Sequence, residues 1–188
     1  MNFSRTFPLK TLSFAQTNQN LESLTVLNSS FQDSFLAGSQ SQSSSSSTFS
    51  WQQTEVEAIL TRFARSRQFF QVLRTAFGTC FSREKTQNLR RQWSTGNFSD
   101  RPELQIQTAD ELNGAVSAFS TATNTIYLSQ DYIDRYAGER DALTGVLLEE
   151  FGHFIDSEIN ASDAPGDEGA IFAALLQGVN LSKVTLNA

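Results

Sequence analysis

The sequence predicts an α+β domain with a short mixed or antiparallel sheet, preceded by a disordered Ser-rich tail. Apolar residues recur at helical spacing over residues 54–77 and again over residues 139–156. Between these two stretches, residues 103–107 alternate in polarity and residues 125–129 are rich in β-branched and aromatic side chains, as strands are. All of these signals fall within residues 51–188, a length that suits one domain.

The first 50 residues have the composition of a flexible tail and linker. They are rich in Ser, Gln, Asn and Thr, and a tract of Ser and Gln fills residues 39–47. Such a segment cannot bury enough apolar surface to offset the entropy that is lost when a chain becomes ordered. We therefore expect residues 1–50 to be the tail and place the domain boundary at Trp51.

A long amphipathic helix is predicted to open the domain. Thr54 and Glu57 have the spacing of a capping box, and Gly78 supplies a stop. A second, shorter helix is predicted over residues 82–93. The apolar residues of the first helix have the spacing of a face buried in the core: Val56, Ile59, Leu60, Phe63, Phe70, Leu73 and Phe77.

Three short strands are predicted to follow, over residues 103–107, 115–119 and 125–129. The second strand begins after Asn113 and Gly114, a pair that is typical of turns. Only residues 120–124, most of them polar, separate it from the third strand, so the two strands are close in sequence.

The C-terminal third is predicted to be helical. A helical turn is predicted over residues 130–137, and a long helix over about residues 139–156. A last helix is predicted over about residues 165–177, with Asp163 as its cap and Gly178 as its terminator.

Composition argues against several classes of function. The net charge is −6, and the arginines between residues 51 and 101 accompany no nucleic-acid-binding motif, so we interpret them as a solvated helix face. We expect no membrane span, because no stretch approaches the ~18 apolar residues that a bilayer requires. We also expect no ordinary signal peptide. With one cysteine, Cys80, and one histidine, His153, the chain cannot form a Cys/His zinc cluster.

His153 lies among three carboxylates in the predicted long helix. At about 100° per residue, Glu149, His153 and Asp156 fall within roughly 60° of arc, and Glu150 flanks His153 on the other side. Residues four apart on a helix are neighbours, so Glu149 and His153 could share a metal ion. The same residues also fit an ordinary amphipathic helix with a solvated acidic face.

Over a longer span, the chain resembles zincin metallopeptidases. In zincins an edge strand precedes a helix with the motif His-Glu-x-x-His, in which both histidines bind zinc and the glutamate activates water. Here the strands over residues 115–119 and 125–129 precede a helix that contains the variant Glu-Glu-x-x-His at residues 149–153. Residues 113–178 also resemble a module of cyanobacterial proteins with haemolysin-type calcium-binding repeats. That resemblance is carried by residues 124–129, 147–156 and 165–169.

Position by position, the resemblance implies a role for each residue of the motif. His153 would be a metal ligand, Glu150 would be the general base, and Glu149 stands where zincins have a ligand histidine. Glu168 is the candidate for the third ligand, and Asp156 competes with it. The fold implied is a small zincin-like domain with an active-site helix.

The implied ligand set determines which cofactor we expect. A ligand set of one imidazole and two carboxylates contains more oxygen than the usual histidine set of zincins. Hard divalent cations prefer oxygen ligands, so manganese and other such cations compete with zinc. Asp163 and Asp167 have two interpretations, because they could hold calcium around Gly166 or could cap the last helix.

We expect a metal-dependent peptidase in which Glu150 activates water at a divalent metal held by His153 and carboxylates. A peptide or protein substrate would lie along the strand from Ala115 to Phe119 (residues 115–119) by β-augmentation. The alternative is a catalytically inactive zincin-like module that serves as a structural or partner-binding domain of a secreted protein. Localisation follows from the resemblance alone, which implies export to the extracellular space without a signal peptide.

Overall fold

The structure is a computed structural model that describes residues 41–161 and 167–179, with side chains from residue 53 onward. Six helices and a three-stranded mixed sheet lie in these ranges, so the predicted α+β class is confirmed. Asp163 and residues 1–40 lie outside the described residues. In chain order the elements are α1 (Ser41–Arg65), α2 (Phe69–Phe77), α3 (Arg83–Ser94), β1 (Glu103–Gln107), β2 (Ser117–Ser120), β3 (Thr125–Ser129), α4 (Gln130–Arg135), α5 (Arg140–Ile159) and α6 (Glu168–Gln177).

The sheet has the strand order β1-β3-β2, so strand β2 lies at one edge. Strand β1 pairs with β3 in parallel, and β2 pairs with β3 in antiparallel register, with Ala118 opposite Tyr127. The predicted bounds of the first and third strands are confirmed. The second strand begins at Ser117 rather than at Ala115, and it ends one residue later, at Ser120.

Helix α1 begins at Ser41, well before the predicted start at Thr54. It therefore includes residues 41–50, which the sequence places in the tail, and it spans the predicted boundary at Trp51. Serine is only a moderately poor helix former, so a serine tract that is joined to a helix can continue it at modest cost.

The prediction of one helix over residues 54–77 is wrong, because a turn separates α1 from α2. Arg90 of helix α3 stabilises this break. Its Nε donates to the carbonyl oxygen of Ala64 at 2.9 Å, and its Nη2 donates to that of Ser66 at 3.0 Å. These hydrogen bonds satisfy carbonyl groups at the end of α1, where a helix leaves them without partners. The chain becomes helical again at Phe69, the first residue of α2, whose side chain is fully buried.

Two of the arginines in the basic segment form structural contacts rather than a solvated helix face. The Arg90 guanidinium lies 5.0 Å from the ring centre of Phe69 and 5.4 Å from that of Phe70. Arg65 Nε donates to the carbonyl oxygen of Ser94 at 2.8 Å. These contacts link the three N-terminal helices, so part of the positive charge in this segment is used within the fold.

Helix α5 is the central element of the domain. It contacts α1, α3, α6 and strand β2. Every residue from 143 to 156 is buried except His153, which is partly exposed. The interpretation of this helix as amphipathic with a solvated acidic face is therefore wrong, since Glu149, Glu150 and Asp156 are only 8%, 4% and 5% exposed.

The core lies between α5 and the helices around it. Phe69, Phe77, Phe151 and Phe172 are among its fully buried side chains, and burial of each such side chain contributes about 1.5–3 kcal/mol. Within the described ranges, no helix has both the length and the apolar character needed to cross a bilayer.

Candidate metal centre

Helices α5 and α6 approach each other closely through two glycines. A Cβ atom at Gly152 would lie 2.7 Å from the Cα of Gly169. A Cβ atom at Gly169 would lie 2.6 Å from the carbonyl oxygen of Glu149 and 2.7 Å from Nε2 of His153. Real side chains do not tolerate such distances, so both positions require glycine at this helix spacing. The start of α6 therefore lies directly against the turn of α5 that carries Glu149 and His153.

Three side chains converge at this contact. Glu149, His153 and Asp167 each place one ligand atom within 4.8 Å of the other two. An imidazole nitrogen and two carboxylate oxygens at this separation could hold a divalent metal ion. The structure therefore brings Glu149 and His153 together with a carboxylate from further along the chain, Asp167, in a group that could hold a metal ion.

Asp167 occupies the N-cap position of α6. Its Oδ1 accepts a hydrogen bond from the backbone N–H of Ala170 at 3.1 Å, and its side chain is buried. This bond satisfies one of the donors that a helix leaves unpaired at its start. It also fixes the orientation of the carboxylate that faces Glu149 and His153.

The two carboxylates that the sequence favoured as further ligands lie outside this group of three. Glu168 follows Asp167 directly and is buried. Asp156 accepts a hydrogen bond from Nδ2 of Asn160 at 2.6 Å. Asn160 Nδ2 also donates to the carbonyl oxygen of Phe77 at 3.2 Å, so Asp156 belongs to the contact between the end of α5 and helix α2.

Sequence reasoning assigned Asp167 to a calcium site or a helix cap and missed it as a partner of His153. The signal that could have identified it is its place at the start of the last helix, immediately before Glu168 and Gly169. An N-cap side chain is held by its own helix, and a glycine two residues later permits another helix to approach. The predicted calcium site includes Asp163, which lies outside the residues that the structure describes.

Glu150 lies beside this group and joins α5 to strand β2. The hydroxyl of Ser117 donates to Glu150 Oε1 at 2.5 Å. The other oxygen, Oε2, is buried and has no hydrogen-bond partner among the residues that the structure describes. A buried carboxylate oxygen without a donor is costly, so this atom indicates a place for a ligand or a water molecule.

The electrostatics of the cluster favour a cation. Burial, together with the negative charges of Glu150 and Asp167, raises the pKa of Glu149 to about 8. Burial also raises the pKa of Glu150 to about 7, although the hydrogen bonds from Ser117 and from the backbone of Phe119 oppose that shift. The charges that act on Glu149 are negative. A divalent cation among these carboxylates would stabilise their ionised forms, so the donor set fits such an ion.

A groove of about 1370 Å³ lies elsewhere on the molecule, near the N-terminal end of α5. Its lining includes Arg62 from α1, Tyr136 and Glu139 before α5, and Leu176 from α6. Glu149, His153 and Asp167 are not among the residues that line this groove. The candidate metal centre therefore lies apart from this groove.

Comparison with models of protein families, with curated proteins and with solved structures gave no match to this chain. The resemblance to zincins and to the module of calcium-repeat proteins stays a prediction.

Proposed function

We propose that this protein is a divalent-metal-dependent hydrolase of the peptidase type. Glu149, His153 and Asp167 would hold the metal, and Glu150 would accept the proton of the attacking water. The observation that carries the proposal is a third carboxylate, Glu150, which is buried close enough to Glu149 and Asp167 to interact with their charges and has one oxygen without a described partner. Three protein ligands leave a position for water or substrate, as in catalytic metal sites.

The chemistry divides between the metal and this chain's own residues. A divalent cation held here would supply Lewis acidity, which polarises a carbonyl group and makes water more acidic. Glu150 Oε2 takes a proton from water while the water oxygen forms a bond to the carbonyl carbon of the substrate. Glu150 then gives that proton to the amide nitrogen as the C–N bond breaks. The products are a carboxylic acid and an amine, and Glu150 regains its initial state.

Strand β2 supports an extended peptide as the substrate. It is an edge strand, with β3 as its partner on one side and no strand on the other within the described residues. An edge strand can bind a peptide through backbone hydrogen bonds. Because Ser117, the first residue of β2, donates to Glu150, a peptide along this edge would lie next to the proposed base.

A second candidate function is a non-enzymatic module that the metal only stabilises. The low exposure of Glu149, Glu150 and Asp167 favours it, at 8%, 4% and 4%. Structural metal sites are closed to solvent, whereas catalytic sites keep one position open. His153 is the one member of the group that is partly exposed rather than buried.

The experiment begins with the metal content of protein purified without a chelator. It continues with hydrolysis of a mixture of quenched fluorescent peptides by the wild type and by Glu150→Gln. We expect the variant to keep its metal, because the amide retains the shape and can still accept from Ser117, and to lose about 100-fold or more in rate. Glu158→Gln, an exposed substitution on the same helix, is the matched control.

Three outcomes separate the hypotheses. A wild type that carries no metal, and whose melting temperature does not rise with Zn²⁺ or Mn²⁺, overturns the metal site and the hydrolase together. A wild type that binds metal but cleaves no peptide supports the non-enzymatic module. If Glu150→Gln and Glu158→Gln lose activity equally, Glu150 is not the general base.

A further inference from the structure

We infer that Ser117 is a positioning residue that holds Glu150 out of the metal's ligand set and so reserves it for proton transfer. The inference rests on the proposed function for the identity of the ligands and of the base. It adds the reason why, of two adjacent buried glutamates, Glu149 binds the metal and Glu150 does not.

The two glutamates would otherwise compete for the same ion. Glu149 and Glu150 are neighbours in sequence, both are buried, and Glu150 lies beside the group of Glu149, His153 and Asp167. Carboxylates are strong ligands for hard divalent cations, and an ion can take more than three of them. A Glu150 that entered the ligand set would share an oxygen lone pair with the metal, which would lower its pKa and make it a much weaker base toward water.

The hydrogen bond from Ser117 opposes that competition. Its O–H···O distance of 2.5 Å to Glu150 Oε1 is at the short end for such bonds, and the contact is buried. Hydrogen bonds to an ionised carboxylate are shorter and stronger than neutral ones. No hydrogen bond of this kind reaches the carboxylate of Glu149 among the described residues, so Glu149 can turn toward a cation.

The sheet fixes the position of the hydroxyl. Ser117 pairs with Leu128 of β3 in antiparallel register, and the sequence distance to Glu150 is 33 residues. A donor on a strand that is already paired is more rigid than one on a loop, which is what a positioning residue requires. A substrate bound along β2 would contact the same strand, so its position and that of the base would be set together.

The test uses the full chain and compares metal binding in the wild type and in Ser117→Ala. Cobalt(II) is the spectroscopic probe, because its visible absorption weakens when the number of ligands increases. We expect weaker absorption in Ser117→Ala, and a change of about 10- to 100-fold in the ratio of Mn²⁺ to Zn²⁺ affinity in favour of Mn²⁺. The double variant Ser117→Ala with Glu150→Gln should return both readouts toward the wild type, since an amide is a poor metal ligand.

Matched variants separate the hydroxyl from the shape of the side chain. Ser117→Thr keeps the hydroxyl and should behave like the wild type, whereas Ser117→Val has the same shape as threonine without the donor and should behave like Ser117→Ala. Because both residues are favourable in strands, this pair also gives an answer if Ser117→Ala does not fold. Ser129→Ala removes another buried serine of the sheet and should change neither readout.

The failures of the two proposals are distinguishable. If the wild type binds cobalt(II) and Ser117→Ala or Ser117→Val gives the same spectrum and the same affinity ratio, Ser117 does not position Glu150, while the metal site stands. If the wild type binds no cobalt(II), Zn²⁺ or Mn²⁺, the metal site itself is wrong, and this inference falls with it.

Discussion

Asp167 combines two roles in one side chain. One oxygen caps helix α6 through the N–H of Ala170, and the carboxylate also lies within 4.8 Å of ligand atoms of Glu149 and His153. A side chain that is already held by its own helix loses little further freedom when it binds an ion. Asp167, rather than its neighbour Glu168, is also the residue whose carboxylate is grouped with Glu149 and His153.

Asp167→Asn separates the two roles. Asparagine caps helices as well as aspartate does, so we expect little change in the melting temperature of the metal-free protein. The loss of the charge should weaken binding of Zn²⁺ or Mn²⁺ by about 10- to 100-fold, measured by isothermal titration calorimetry. Glu168→Gln is the comparison, and a larger loss of affinity in that variant would return the third-ligand role to Glu168.

How much of the site could be predicted differs from residue to residue. Glu149 and His153 were predictable because a spacing of four places two residues together on any helix. Asp167 was not, because its position depends on the close approach of α6 to α5. The hydrogen bond between Ser117 and Glu150 likewise joins two elements that are distant in sequence.

The contact between α5 and α6 depends on Gly152 and Gly169, because glycine has no side chain. The Cβ of an alanine at either position would lie less than 3 Å from backbone atoms of the other helix. Neither glycine has a positive φ, so the requirement is for space rather than for backbone conformation. The same contact places Asp167 beside His153.

Gly152→Ala and Gly169→Ala should each lower the free energy of unfolding by about 1–3 kcal/mol, because the helices must separate to admit the methyl group. Gly169→Ala should also weaken metal binding, since its Cβ would lie 2.7 Å from Nε2 of His153. Urea denaturation and metal titration measure the two effects.

Gly145→Ala is the matched control on helix α5. Its nearest neighbours would be the ends of the Gln177 side chain at 3.2 Å, which can move. Alanine is the better helix former by about 1 kcal/mol, so we expect unchanged or slightly higher stability. If all three substitutions destabilise the protein equally, the close helix contact is not what requires glycine.

Elements that depend on local sequence were predicted well. Strands β1 and β3 have the predicted bounds. Each end of helix α3 lies within one residue of the end predicted for that helix. The break between α1 and α2 was missed because the apolar spacing continues across it, while the hydrogen bonds from Arg90 come from another helix. The burial of α5 was missed because periodicity treats a charged side chain as an exposed one.

For the molecule as a whole, the buried carboxylates couple stability to pH. In the folded, metal-free protein the pKa of Glu149 is about 8 and that of Glu150 about 7, against an ordinary value of 4.5. Folding therefore favours the protonated forms. This contribution to stability is complete below about pH 4.5 and is lost as the pH rises through 7 to 8.

We therefore expect the melting temperature of chelator-treated protein to fall between pH 5 and about pH 8.5, as these two carboxyls titrate. Addition of Zn²⁺ or Mn²⁺ should raise it most at the upper end of that range, because the ion binds the ionised carboxylates of the folded state. The double variant Glu149→Gln with Glu150→Gln should flatten the dependence. A melting temperature of the metal-free wild type that rises from pH 5 to pH 8 would contradict the assignment.

His153 makes the candidate metal centre easy to observe by NMR, because no other histidine contributes imidazole signals. His153 is the only histidine of the chain, and it is the one residue between 143 and 156 that is not buried. A nitrogen-15 NMR spectrum of the imidazole region would thus contain a single pair of ring signals, which need no assignment. Their chemical shifts would report which ring nitrogen carries the proton and which binds an ion, so one side chain serves as a built-in reporter for the whole cluster.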